Sequence, residues 1–176
     1  MNLLEQLKKS DIFKNELVFK RNEFIKYHNT IDSSIYFIKS GSVKISILSE
    51  DKEQIIRFGY EGDLIVALDS FINNQKSEFL IQTIKKSEVL VAEKKDFTNW
   101  VYSNSENAIF YIKLLEDLVL QQIEREKDLL IESPKERFQK VLKRNPSLFQ
   151  KIPHKHIANY LRMSSETLSR LKKTLI

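Results

Sequence analysis

From Ser105 to Ile131 the apolar residues Ile112, Leu115, Val119, Ile123 and Leu130 recur near heptad spacing, and no glycine or proline interrupts them. Leu114 and Leu118 widen the stripe. The period predicts one long helix, roughly 40 Å at 1.5 Å per residue. Its far end, Gln121 to Glu132, has little left in its own chain to cover it, so pairing with a second copy is expected. Ahead of it, from about Glu16 to Glu93, the period shortens to that of strands. Ile35-Tyr36-Phe37-Ile38, a tight turn through Gly41, and the alternating Val43-Lys44-Ile45-Ser46-Ile47 read as strand, turn and strand. Residues 54–58, 80–84 and 88–92 are further short strands, and Gly59 and Gly62 bracket a turn. Many short strands between polar turns predict a small barrel, roll or sandwich. Residues 2–10, with Leu3, Leu4 and Leu7 on one side, predict a short leading helix.

Beyond the long helix, Ser133-Pro134-Lys135-Glu136 resembles a capping box that opens a new helix through about Lys143. Asn145-Pro146 marks the next turn, and Phe138, Val141, Leu142, Leu148 and Phe149 supply a small core. Two short helices follow. Pro153 suits a first turn, and Ile157, Ala158 and Leu161 share one face. After a break, Ser164 or Ser165 caps a second helix that buries Leu168 and Leu171. It leaves Ser165, Glu166, Ser169, Arg170, Lys172 and Lys173 exposed. A short apolar helix under a short polar one is the helix-turn-helix plan, although any two short amphipathic helices share the pattern.

Charge sharpens the picture. Residues 133–176 hold eleven Lys/Arg against two acids, a net of +9, whereas the 176-residue chain is +5 overall, which leaves −4 for residues 1–132. Basic charge is thus gathered at one end, as a phosphate-binding surface requires. No apolar run approaches the roughly 18 residues that span a bilayer, and the first residues lack the order of a signal peptide. A cytoplasmic location without membrane contact is the expectation.

The absence of cysteine removes disulfides, thiolate nucleophiles, iron–sulfur clusters and cysteine-based zinc sites. Three histidines, two of them in the basic segment, are too few for a cupin-like metal centre, and three glycines leave no phosphate-cradling loop. No Ser-His-Asp elbow or P-loop appears. The chain is not expected to be an enzyme, to bind a metal or to carry a cofactor.

A β domain, a long helix and a C-terminal helix-turn-helix, in that order, resemble the CRP/FNR family of bacterial transcription regulators. Ile35 to Ile47 resembles the family's hairpin near the start of its cyclic-nucleotide-binding-like roll, and Ser164-x-Glu166-Thr167-x-Ser169-Arg170 resembles its recognition helix. The resemblance implies an α+β architecture: a β-roll sensor domain over residues 1–104, a dimerisation helix over 105–132 using Ile112, Leu115, Val119 and Ile123, and a DNA-binding domain over 133–176. It implies a homodimer on double-stranded DNA with an inverted-repeat operator, with RNA polymerase and an unknown small-molecule effector as further partners. Ser165, Glu166 and Arg170 match base-reading positions. His154, Lys155, Ser164, Thr167, Ser169 and Lys173 match phosphate-contacting ones. Arginine can donate twice to guanine and glutamate can accept from cytosine, while phosphate contacts fix register without reading sequence. Arg162 stands where the family usually has glycine, and a left-handed residue there costs arginine about 1 kcal/mol.

The effector site departs from the family. Gly62-Asp63-Leu64-Ile65 matches the lead-in to the cyclic AMP cassette, but Val66 and Ala67 replace its Gly-Glu, and Ser77 and Glu78 replace its Arg-Ser. The phosphate-pairing arginine is missing, and Glu78 would set a carboxylate near the anion. Cyclic AMP is therefore not the expected effector. A sensor or adaptor that keeps the architecture and acts through protein contacts is the alternative to a DNA-binding regulator.

Overall fold

The computed structural model describes Leu7, residues 10–50 and residues 52–175. The expected helix over residues 2–10 lies outside the described residues apart from Leu7 and Ser10. Backbone contacts divide the chain into two compact units, residues 1–113 and 114–176.

The first unit is built on two antiparallel four-stranded sheets. One has the order β1 (Phe13–Phe19), β8 (Ser87–Ala92), β3 (Ile35–Ser40), β6 (Leu64–Ile65). The other runs β2 (Phe24–Lys26), β7 (Leu80–Thr83), β4 (Ser42–Ser49), β5 (Lys52–Tyr60). Ile38 and Val89 of the first sheet meet Val43, Ile45 and Ile81 of the second in a shared core. Each of these is essentially sealed from water, and burial of branched side chains on facing pleats is the main force holding such sheets together.

The expected hairpin at 35–47 is corrected here. β3 pairs with β8 and β6, β4 pairs with β5 and β7, and the two strands never pair with each other. Ser40 is the last residue in one sheet and Ser42 the first in the other. Gly41, at φ 96, turns the corner between them, and a Cβ there would lie 2.5 Å from the Lys86 carbonyl and collide with the Ser87 hydroxyl. Gly59 likewise belongs to no turn. It sits inside β5, where a Cβ would meet Ile65 Cδ1 at 2.5 Å. Only Gly62, at φ 92, serves the turn.

Three helices complete this unit: α1 (Leu68–Asn73), α2 (Lys94–Tyr102) and the first turns of α3 (Ser105–Leu129). Phe71, Phe97, Val101 and Phe110 pack with Ile35 and Ala92 in a second core, with Trp100 and Tyr111 at its edge. Asn107 joins α3 to the end of α2 by donating to the Trp100 carbonyl at 2.9 Å.

In the second unit α3 continues to Leu129, followed by α4 (Pro134–Arg144), α5 (Pro146–Lys151), α6 (His154–Tyr160) and α7 (Ser165–Leu175). Ser133 caps α4 by accepting from the Glu136 amide at 3.3 Å, with Pro134 in the first turn where its missing N–H costs nothing. Asn145-Pro146, expected as a turn, instead opens α5: the Asn145 side chain accepts from the Leu148 amide at 3.2 Å, so the same two residues act as cap and first turn. Phe138, Val141, Leu148, Ile157, Ala158, Leu161 and Leu168 are buried, and the Phe138 and Phe149 rings meet edge to face at 5.2 Å.

Candidate nucleic-acid interface

Helix α6 ends because the chain turns left-handed at Arg162, φ 51. The Arg162 amide donates to the Asn159 carbonyl and the Met163 amide to that of Ala158, both at 3.0 Å. This pair of bonds is a Schellman closure, the arrangement that usually recruits glycine. Helix α7 then starts at once. Ser164, not Ser165, is its cap, accepting from the Thr167 amide at 3.1 Å, and its hydroxyl also lies 3.1 Å from that of Thr167. Ile157, Ala158, Leu161 and Leu168 are buried, whereas Leu171 is half-buried.

The polar face is where the period put it, except that Lys172 is half-buried. Ser164, Ser165, Glu166, Ser169, Arg170 and Lys173 are exposed, and Thr167 is half-buried. Glu166 and Arg170 stand one helical turn apart on α7. The Glu166 carboxyl is held below the usual carboxylate range by its own backbone amide, then by the Ser164 hydroxyl and by Arg170. It therefore stands ready as an acceptor beside a donor fork. His154 and Lys155 are exposed in the first turn of α6. His154 Nε2 lies 2.7 Å from Lys172 Nζ, a contact that ties the start of α6 to the last turns of α7.

A buried charge cluster behind this face escaped the sequence reading. Asp128, in the last turn of α3, is wholly buried and is paired with both terminal guanidinium nitrogens of Arg144 and, at 3.3 Å, with Lys140. Arg125, one turn earlier, is 7% exposed, lies over the Tyr160 ring at 3.8 Å and donates to the Tyr160 carbonyl. Arg137 of α4, equally buried, donates to the carbonyls of Ile131 and, at 3.4 Å, Arg162. Nothing in the sequence separates these residues from solvated charges on a helix.

On α3 the stripe expected to pair with a second copy lies open: Ile112 is 54%, Val119 56% and Ile123 40% exposed, and Leu115 is partly covered. Ile109 and Leu120 extend it.

In the first unit, Val66 packs against one core and Ala67 belongs to the other. Ser77 is buried, its hydroxyl accepting from the Phe79 amide at 3.0 Å and its amide donating to Thr30, while Glu78 is exposed. The ammonium of Lys26, 3% exposed, donates to the carbonyls of Tyr27, Ser77 and Phe79. Burial lowers its pKa, with Asp32 and Asp69 opposing the shift. Tyr36 donates to Asp32 at 2.7 Å, and burial first and Asp32 second raise its pKa well above the ordinary value. Among the described residues no helix is long and apolar enough to cross a membrane, and no group of three His, Cys, Asp or Glu could hold a metal ion.

The cyclic nucleotide-binding domain profile matches residues 16–104. Comparison with curated proteins gave no match. Among solved structures, a CooA mutant from Carboxydothermus hydrogenoformans aligns with 99% of this chain and 84% of its own, at 21% identity and a TM-score of 0.77. FixK2 from Bradyrhizobium japonicum aligns with 92% of this chain and 83% of its own, at 17% identity and a TM-score of 0.78. A CRP-family transcriptional regulator from Thermus thermophilus covers 90% of this chain and 83% of its own, at 15% identity and a TM-score of 0.68. The fold is shared with these structures, and, on the strength of residues 16–104, the chain belongs to the cyclic nucleotide-binding domain family.

Proposed function

We propose that the protein is a sequence-specific DNA-binding transcription regulator of the CRP/FNR type, acting as a cytoplasmic homodimer on an inverted-repeat operator without cyclic AMP. The observation that carries this is the exposed pair Glu166 and Arg170, one turn apart on a helix that is capped by Ser164 and set in a segment of net charge +9. In this reading α6 and α7 form a helix-turn-helix, and α7 enters the major groove. Arg170 donates to a guanine edge and Glu166 accepts from a cytosine, with Ser165 beside them. His154, Lys155, Ser164, Thr167, Ser169 and Lys173 hold backbone phosphates and fix register. The open stripe on α3 supports pairing of two long helices through Ile112, Leu115, Val119 and Ile123, which sets two recognition helices about 34 Å apart. The structural neighbours, a CRP-family transcriptional regulator from Thermus thermophilus among them, favour the same class.

Cyclic AMP is disfavoured by chemistry within the roll. The Ser77 hydroxyl accepts from the Phe79 amide, the Lys26 ammonium donates to chain carbonyls, and the exposed Glu78 adds negative charge. An effector, if one acts on this domain, has other chemistry, and RNA polymerase is the expected protein partner at the promoter.

Selection of bound sequences from a random duplex pool, with and without cyclic AMP, tests the reading. A two-fold symmetric motif that does not change with the nucleotide is the expected result. A motif recovered only with cyclic AMP would overturn the effector assignment. No motif in either condition would favour an adaptor working through protein contacts.

A further inference from the structure

Tyr160 is the last residue of α6, so its carbonyl is one of those a helix end leaves without an internal partner. Arg125 fills that position with a buried cation that also covers the ring of the same residue, 3.8 Å from its centroid. Two residues on, the carbonyl of Arg162 is taken by Arg137, which also binds the Ile131 carbonyl just past the end of α3. The left-handed turn that launches α7 is therefore gripped at residues 160 and 162 by arginines from α3 and α4. Asp128, one turn past Arg125, ties α3 to Arg144 and Lys140 of α4.

Neither Arg125 nor Arg137 makes an ion pair among the described residues, and each is 7% exposed. Burial opposes the charge on Arg125, and the attraction of Asp128, which makes no direct bond to it, only partly offsets that. The planar fork of Arg125 suits its place, because it can reach the Tyr160 carbonyl while lying over the ring of the same residue. A lysine has the charge and the stem but neither the fork nor the plane.

We infer that Arg125 is a positioning residue for sequence recognition: it sets the angle at which α7 leaves the turn relative to the long helix α3. The inference rests on the DNA-binding reading above and deepens it. With two α3 helices paired, the separation and pitch of the two recognition helices follow from this joint, so Arg125 governs which half-site spacing is accepted, while Arg170 governs which base.

The test uses the full chain, the selected operator, and operators with one base pair added to or removed from the spacer. Wild type is expected to prefer one spacing. Arg125→Gln and Arg125→Lys are each expected to bind the best operator about tenfold more weakly, the scale of a lost charged hydrogen bond, and to flatten the spacing preference while keeping half-site base preference. Arg125→Lys keeps charge and bulk, so it reports on geometry should Arg125→Gln fail to fold. Arg170→Ala is expected to do the reverse, losing base discrimination and keeping the spacing preference. An Arg125→Lys protein that retains the wild-type spacing profile overturns the inference, even with a smaller active fraction. A wild type without duplex selectivity fails at an earlier point, sinking the DNA-binding reading itself.

Discussion

The amide of Met163 donates to the carbonyl of Ala158 at 3.0 Å, and the six residues closed by that bond hold Arg162 at φ 51. A side chain with a Cβ is strained there. The Arg162 side chain is exposed, while its carbonyl serves Arg137. Arg162→Gly would keep that carbonyl and relieve the strain, partly offset by the greater freedom of glycine in the unfolded chain. A net stabilisation of up to about 1 kcal/mol is expected. It would be read as a higher urea midpoint at unchanged m-value.

Asp128 is the one wholly buried carboxylate among the ion pairs of the described residues. Asp128→Ala would leave Arg144 and Lys140 without it, but both are about a third exposed and can turn toward water. The expected cost is about 2–3 kcal/mol, below that of breaking a fully buried pair. Urea unfolding against Glu124→Ala, which removes a more exposed partner of the same two cations, should rank Asp128→Ala as clearly worse.

Acid should expose the same cluster differently. The Glu124 carboxyl is held below its ordinary value of 4.5, chiefly by a hydrogen bond from Lys127, with Lys140 and Arg144 adding attraction. A carboxyl depressed in the folded state contributes stability that is complete above the unfolded value and is lost as pH falls through the folded one. Glu124→Gln is therefore expected to be less stable than wild type at neutral pH, with the gap closing as pH drops below 4.5. Because the carboxylate is open to solvent, added salt should narrow the gap at neutral pH as well. A gap that widens in acid would contradict this assignment.

The stripe on α3 makes its own prediction. Val119 is 56% exposed, so Val119→Glu should leave the fold of a single chain intact. If two α3 helices pair there, the substitution buries two carboxylates face to face and should shift the protein from dimer to monomer in sedimentation. An unchanged dimer would place the interface elsewhere.

Some of this was legible in the residues, for physical reasons. Helix α3 announces itself because no glycine or proline interrupts a long heptad stripe, and α4 because Ser133 and Pro134 can do little else in that order. The face carrying Glu166 and Arg170 follows from Leu168 and Leu171, since two leucines three apart fix the phase of a short helix. The strand pairings did not follow. Period-two alternation in Val43 to Ile47 is the same whether the strand folds back on β3 or crosses to another sheet. Helix α2 escaped notice because Phe97 and Val101 are too few to declare a period, and Pro146 signals a turn and a helix start equally well. Arg125 and Asp128 were invisible: a charge in a helix shows its burial only once its partners are known.

One residue at position 41 has a consequence for how this chain can vary. It separates the last paired residue of one sheet from the first of the other, so the side that β4 turns inward depends on where Gly41 stands in the chain. An insertion beside it would carry Val43 and Ile45 to the side now held by Lys44 and Ser46, and both layers would lose their shared interior together. The strand after the corner thus has a reading frame of its own, and Gly41 is where a frameshift in it would be felt.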